Sequence, residues 1–126
     1  MGGAARRDEL DFKQLPGRAS ADPLALVGGG DPHGVSVRVV RMQAAPGRTP
    51  HRHPHSAEVV HVLAGTGTAW LEGQRTAVGP GDTFVIPTGA AHATLPDAGV
   101  TLELLCFFPH PQLGANLEEL EGPPLG

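Results

Sequence analysis

At 126 residues the chain is short enough to form one domain and long enough to bury a core. Its formal charge of −4 comes with scattered arginines and no clustered basic patch, so nucleic acid is not an expected partner. The 18 glycines and 13 prolines lie in short clusters that suit short strands and tight turns, and the single cysteine, Cys106, excludes an intramolecular disulfide.

Residues 1–12 carry Arg6, Arg7, Asp8, Glu9 and Asp11 with no apolar stretch behind them. This is not the pattern of a signal peptide, and no run approaches a membrane span, so a cytoplasmic protein with no membrane partner is expected. Residues 1–10 read as a mobile tail. Phe12, Leu15, Leu24, Leu26 and Val27 are interrupted by Pro16-Gly17 and Pro23, which predicts one or two short extended pieces against the main body. Gly28 to Pro32 is a break.

Residues 35–42 are β-branched and partly alternating, the pattern of a strand. Ala45-Pro46-Gly47 turns the chain into a histidine-rich stretch. Further strands are predicted over 58–63, 68–71, 74–78, 83–86, 91–95 and 100–108, separated by turn signals such as Glu72-Gly73 and Gly79-Pro80-Gly81-Asp82. Trp70, Phe84 and Phe107 are expected to pack the interior. Residues 113–120 have room for one or two helical turns, ended by Pro123-Pro124, with Glu118, Glu119 and Glu121 on a solvated face. Such even strand spacing without a long helix indicates an all-β antiparallel barrel or sandwich. The expected organisation is an N-terminal arm over 1–33, a barrel over 34–110 and a C-terminal tail over 111–126.

The chemistry concentrates in His51-Arg52-His53-Pro54-His55-Ser56-Ala57-Glu58. Residues two apart on a strand share a face, so His51 and His53 point the same way with Arg52 opposite. Residues 54–57 look like a turn, which lets Glu58 begin the next strand facing the same interior. A fourth candidate ligand, His92, follows Gly81. Imidazole nitrogen with carboxylate oxygen suits first-row divalent metals.

Gly47 to Gly65 resembles the first motif of the cupin family: His51-x-His53, four residues, Glu58, six residues, Gly65. Gly81, five residues, Pro87-x-Gly89, two residues, His92 resembles the second. The family places asparagine four residues after that histidine, where this chain has Pro96; the departure removes no ligand. The resemblance covers roughly residues 34–108. It implies a cupin-type antiparallel β-barrel, a double-stranded β-helix or jelly roll. It also implies one divalent metal per chain, Fe(II), Mn(II), Ni(II) or Zn(II), held by His51, His53, Glu58 and His92. A homodimer, often with N-terminal strands packed across the interface, is implied as well.

Other polar residues have ordinary readings beside functional ones. His55 reads as an exposed turn residue, or as a group supporting a ligand, and His33 and His110 as exposed. His61 is either a strand residue facing the other sheet or solvent or a group that supports the ligands or moves protons, and Glu103 either an edge residue or a pocket acid. Both are the best catalytic candidates for moving protons. Arg38 and Arg41, three apart on a strand, lie on opposite faces, so one of them has the chance to meet a substrate carboxylate; snorkelling to water is the ordinary alternative. Without a second motif pair, two-domain storage and oxalate-degrading cupins are not expected. No helix pair of a one-chain regulator precedes the barrel. The lack of tyrosine argues against branches with a tyrosine acid, such as deoxysugar epimerases and dimethylsulfoniopropionate lyases. The expected function is dioxygenase-like (quercetinase-like) oxidation of a small oxygen-bearing substrate. The alternatives are a non-redox isomerase, cyclase or lyase and a non-catalytic ligand-binding barrel.

Overall fold

A computed structural model describes residues 3–121 and Leu125. Eleven strands are formed: β1 Lys13–Leu15, β2 Arg18–Ala21, β3 Ser36–Met42, β4 His51–Arg52, β5 Glu58–Ala64, β6 Gly67–Leu71, β7 Gln74–Val78, β8 Thr83–Ile86, β9 His92–Pro96, β10 Leu102–Phe108 and β11 Glu118–Glu119. They make two antiparallel sheets, β1-β2-β3-β10-β5-β8 and β11-β4-β9-β6-β7. Together these are the jelly-roll architecture. Among the described residues the only helical pieces are short 3-10 turns, and no helix is long and apolar enough to cross a membrane.

Period-two alternation decides which side chains meet between the sheets. On β5, Glu58, Val60 and Val62 are buried while Val59 and Leu63 are exposed. On β10, Leu102, Leu104, Cys106 and Phe108 join the interior cluster with Val40, Met42, Val60, Val62, Ala69 and Ile86. Each fully buried aliphatic here, Leu102 and Val62 among them, contributes roughly 1.5–3 kcal/mol. Phe84 packs against this cluster as expected. Phe107 does not: it alternates with Cys106 and Phe108 and lies 36% exposed on the outer face. Trp70 likewise alternates with the interior residues Ala69 and Leu71, so it also projects outward.

The two extended pieces expected in the arm form the β1–β2 hairpin, which joins the first sheet through β3. Arg7–Glu9, within the stretch read as a tail, forms a 3-10 turn, and Arg7 reaches Glu103 at 2.7 Å. The helical turns expected over 113–120 are instead one 3-10 turn, Gly114–Asn116, followed by β11. The reason is tertiary: β4 has β9 on one side and an open edge on the other, and β11 fills that edge, with Glu118 opposite Arg52 and Glu119 opposite His51. The stop expected at Pro123-Pro124 lies outside the described residues.

Candidate metal centre

Local chain geometry brings the cluster together. His51 on β4 lies directly opposite His92 on β9, and directly opposed residues of an antiparallel pair project to one face. His53 follows β4, anchored by its own carbonyl, which accepts a hydrogen bond from Gly89 N at 2.9 Å. Arg52 turns the other way and pairs with Glu118 at 2.8 Å. Residues 54–57 form the expected turn, and Glu58 opens β5 on its inner face, opposite Ile86.

The donor atoms of His51, His53 and His92 all lie within 4.8 Å of one another. Glu58 Oε1 stands 3.1 Å from His53 Nε2 and 3.1 Å from His92 Nε2. All but His51 are buried, and Phe108 closes one side, its ring 4.7 Å from that of His53.

Which nitrogen carries the proton follows from the partners. His53 Nδ1 sits 2.7 Å from the Asn116 carbonyl and His92 Nδ1 3.0 Å from the Ala90 carbonyl. A carbonyl only accepts, so in each ring Nδ1 is the N–H donor. In the neutral tautomer Nε2 then presents a lone pair to the interior. Both Nε2 atoms are buried and form no hydrogen bond of proper geometry, although a carboxylate oxygen is 3.1 Å away. Lone pairs facing a carboxylate repel unless a cation lies between them. These residues therefore fit a divalent metal, with Nδ1–H held by carbonyls in the manner that orients metal-binding histidines.

The charges agree with that fit. Burial, followed by the neighbouring His92 and His53, lowers the His51 pKa from 6.5 to about 3, so His51 is a neutral donor at neutral pH. Burial alone raises the Glu58 pKa, but the nearby imidazoles of His53 and His92 outweigh it and hold the group at about 2, an ionised carboxylate at neutral pH. Burial, then the Glu58 charge, pushes the Cys106 thiol up, the behaviour of an inert interior cysteine.

Two expected site residues lie elsewhere. His61 is three positions from Glu58 on one strand, and odd separation places it on the outer face, where its Nδ1 is 2.6 Å from Thr83 Oγ1. Glu103 alternates with the interior residues Leu102 and Leu104. It is nevertheless buried, because Arg41 at 2.6 Å and Arg7 at 2.7 Å cover it, with Phe12 stacked on the Arg41 guanidinium at 3.9 Å. Burial opposes ionisation, but the two arginines prevail and lower its pKa. Their own exposure, 40% and 66%, shows that this cover is a thin surface layer. His55 is exposed and stacks on His110, their rings 5.7 Å apart.

Asn116 is the residue that motif reasoning passes over. It is fully buried; its Oδ1 accepts from His55 N at 2.7 Å, its Nδ2 donates to Ser56 Oγ at 2.8 Å, and its carbonyl holds His53. A lone asparagine in a polar tail gives no sequence signal for this.

A family model described as "Cupin domain" matches residues 38–108. Germin-like protein 3-8 of Oryza sativa subsp. japonica is 32% identical over 81 residues, 59% of this chain and 36% of that protein. The chain thus spans about a third of that relative's length. Among solved structures, Pac13, described as a unique nucleoside dehydratase, superposes with a TM-score of 0.75 at 14% identity, covering 98% of this chain and 94% of that one. KdgF from Halomonas sp. does so with a TM-score of 0.70 at 25% identity, covering 87% and 96%.

Proposed function

The chain belongs to the cupin family, and from that premise we propose that it is a metal-dependent enzyme acting on a small oxygen-bearing organic molecule. The observation that carries this reading is the pair of buried Nε2 atoms of His53 and His92, fixed by carbonyls behind them and aimed at Glu58. His51, His53, His92 and Glu58 would hold one divalent transition metal per chain. Such a metal supplies Lewis-acid polarisation and, where it is redox-active, reaction with dioxygen.

The side chains around the cluster favour the dioxygenase-like branch. Isomerase or lyase chemistry needs a positioned acid or base. His61 and Glu103, the two residues expected to supply one, share no face with Glu58. The reading therefore assigns them no proton transfer. What the chain contributes is an apolar wall in Phe108, the neutral imidazole of His51, and an ionised carboxylate that balances part of a dication's charge.

We propose further that the protein is a homodimer joined through the outer face of its six-stranded sheet. Val37, Phe107, Val59 and Val85 are consecutive cross-strand partners there and form an apolar row over four strands. Phe107, Val59 and Val85 are 36%, 36% and 58% exposed in the single chain.

Elemental mass spectrometry on untagged protein, purified anaerobically without chelators, tests the central reading. Iron or manganese near one equivalent, lost in His53→Ala and accompanied by substrate-dependent dioxygen uptake, is expected. Zinc or nickel instead would move the assignment to non-redox isomerase, cyclase or lyase chemistry. Bound metal with ligand affinity but no turnover would make the protein a binding module, and no metal in either protein would overturn the reading.

A further inference from the structure

Alternation turns His61 away from the histidine cluster and onto the outer face of the six-stranded sheet, and strand register shows what surrounds it there. Leu105 of β10 stands directly opposite on one side and Thr83 of β8 on the other. Beyond Leu105 the same row continues to Val39 of β3. Val59 and Leu63 flank His61 on its own strand, two residues away on the same face. The neighbouring row is Val37, Phe107, Val59 and Val85. Val59, Leu63, Val85 and Phe107 are four of the six large apolar side chains exposed among the described residues, so the exposed apolar surface gathers around one imidazole.

The middle of this face holds no fixed charge. Of the outward positions on β3, β10, β5 and β8, only His61, Arg41 and Glu103 titrate or carry charge. Glu103 lies two residues beyond Leu105, and Arg41 at 2.6 Å and Arg7 at 2.7 Å take up its carboxylate. Strand β8 presents Thr83 and Val85. The Nδ1 of His61 lies 2.6 Å from Thr83 Oγ1. A hydroxyl accepts from the charged ring and donates to a neutral one, so this bond holds in both states. Nothing else on the face supplies the anion that a desolvated imidazolium needs.

A two-fold contact lays a face on a copy of itself, and a fixed charge in its middle would meet its like. This face avoids that while His61 is neutral, which fits it to a second copy rather than to a charged partner. We propose that two copies join through this face with both His61 rings neutral, and separate as the rings take up protons. That a second copy lies here rests on the dimer reading above. An imidazole changes charge roughly between pH 5 and 8. Burial in the contact excludes that charge, so the separated chains bind a further proton at each His61. The dimer is therefore tightest above this range and weakens as pH falls through it.

Sedimentation velocity over a concentration series, at about pH 7.5 and about pH 5.5, tests this on the protein as purified. Metal content and circular dichroism are read on the same samples. Wild type should dimerise at the higher pH and show a dissociation constant raised about tenfold or more at the lower one. His61→Gln, neutral throughout and still able to bond Thr83, should dimerise with nearly the same constant at both. His61→Lys should be monomeric at both, with unchanged metal content. Equal constants for wild type at the two pH values would overturn the switch while leaving the dimer standing, and so would the same acid weakening in His61→Gln. A His61→Lys protein that dimerises like wild type at the higher pH would take His61 out of the contact and overturn the switch as well. Wild type that is monomeric at every concentration and both pH values would remove the dimer reading and the switch together.

Discussion

Asn116 and His51 show how much of the centre depends on single side chains. Alanine at 116 keeps the carbonyl that holds His53 but deletes the bonds to His55 and Ser56 that fix where this carbonyl sits. Asn116→Ala should cost roughly 1–3 kcal/mol in chemical denaturation. It should also weaken metal binding about tenfold in a chelator competition; unchanged affinity would make Asn116 a structural residue only. His51 predicts an acid sensitivity of the metal-free protein. The unfolded chain takes up a proton there near pH 6.5 and the folded chain only near pH 3, so folding stability is complete above the first value and drains away toward the second. Glu58 adds a loss as pH falls from about 4.5 to about 2. Urea midpoints of chelated protein should fall between neutral pH and about pH 5, by much less in His51→Gln. The convergence of His51, His53, Glu58 and His92 was readable because motif spacing brings them together. The outward placement of His61 was also within reach, since odd separation from Glu58 on one strand decides it. Its place between Leu105 and Thr83 was not, because that depends on register with β10 and β8, which no local pattern specifies.

The link from β5 to β6 and the one from β7 to β8 each contain a motif glycine, but the two differ in tolerance. Gly65 has φ +83°, and a Cβ there would lie 2.4 Å from the Thr101 carbonyl oxygen. Gly81 has φ +87° with nothing within 4 Å of such a Cβ. Gly81→Ala should therefore cost about 1–2 kcal/mol, the strain of a left-handed alanine alone. Gly65→Ala adds a backbone clash and should cost clearly more or prevent folding; equal melting temperatures for the two variants would contradict this. Most strands were readable from alternation and turn residues, and Glu72-Gly73 is indeed a tight hairpin with both residues at positive φ. The C-terminal segment was not readable. Leu113, Leu117 and Leu120 have helical spacing, yet the vacant edge of β4 imposes a strand at Glu118–Glu119.

Sheet neighbours here are seldom neighbours in sequence: β10 lies between β3 and β5, and β11 lies against β4. Alternation reveals that a strand has two faces but not which strand covers which, so the apolar row on the outer sheet face emerges only from the assembled molecule. If that row joins two copies, Val85→Lys should shift the protein toward monomer in sedimentation velocity without changing its metal content. A wild-type protein that is monomeric at every concentration tried would dismiss the dimer.

The hydrogen bond from His53 to the Asn116 carbonyl has a consequence for the order of events during synthesis. On a ribosome, the histidines and Glu58 emerge long before the segment that orients His53 and completes the sheet edge beside His51. A nascent chain that stops short of Asn116 carries all four cluster residues yet lacks their final brace. Translation therefore withholds a finished cluster until the segment around Asn116 has emerged.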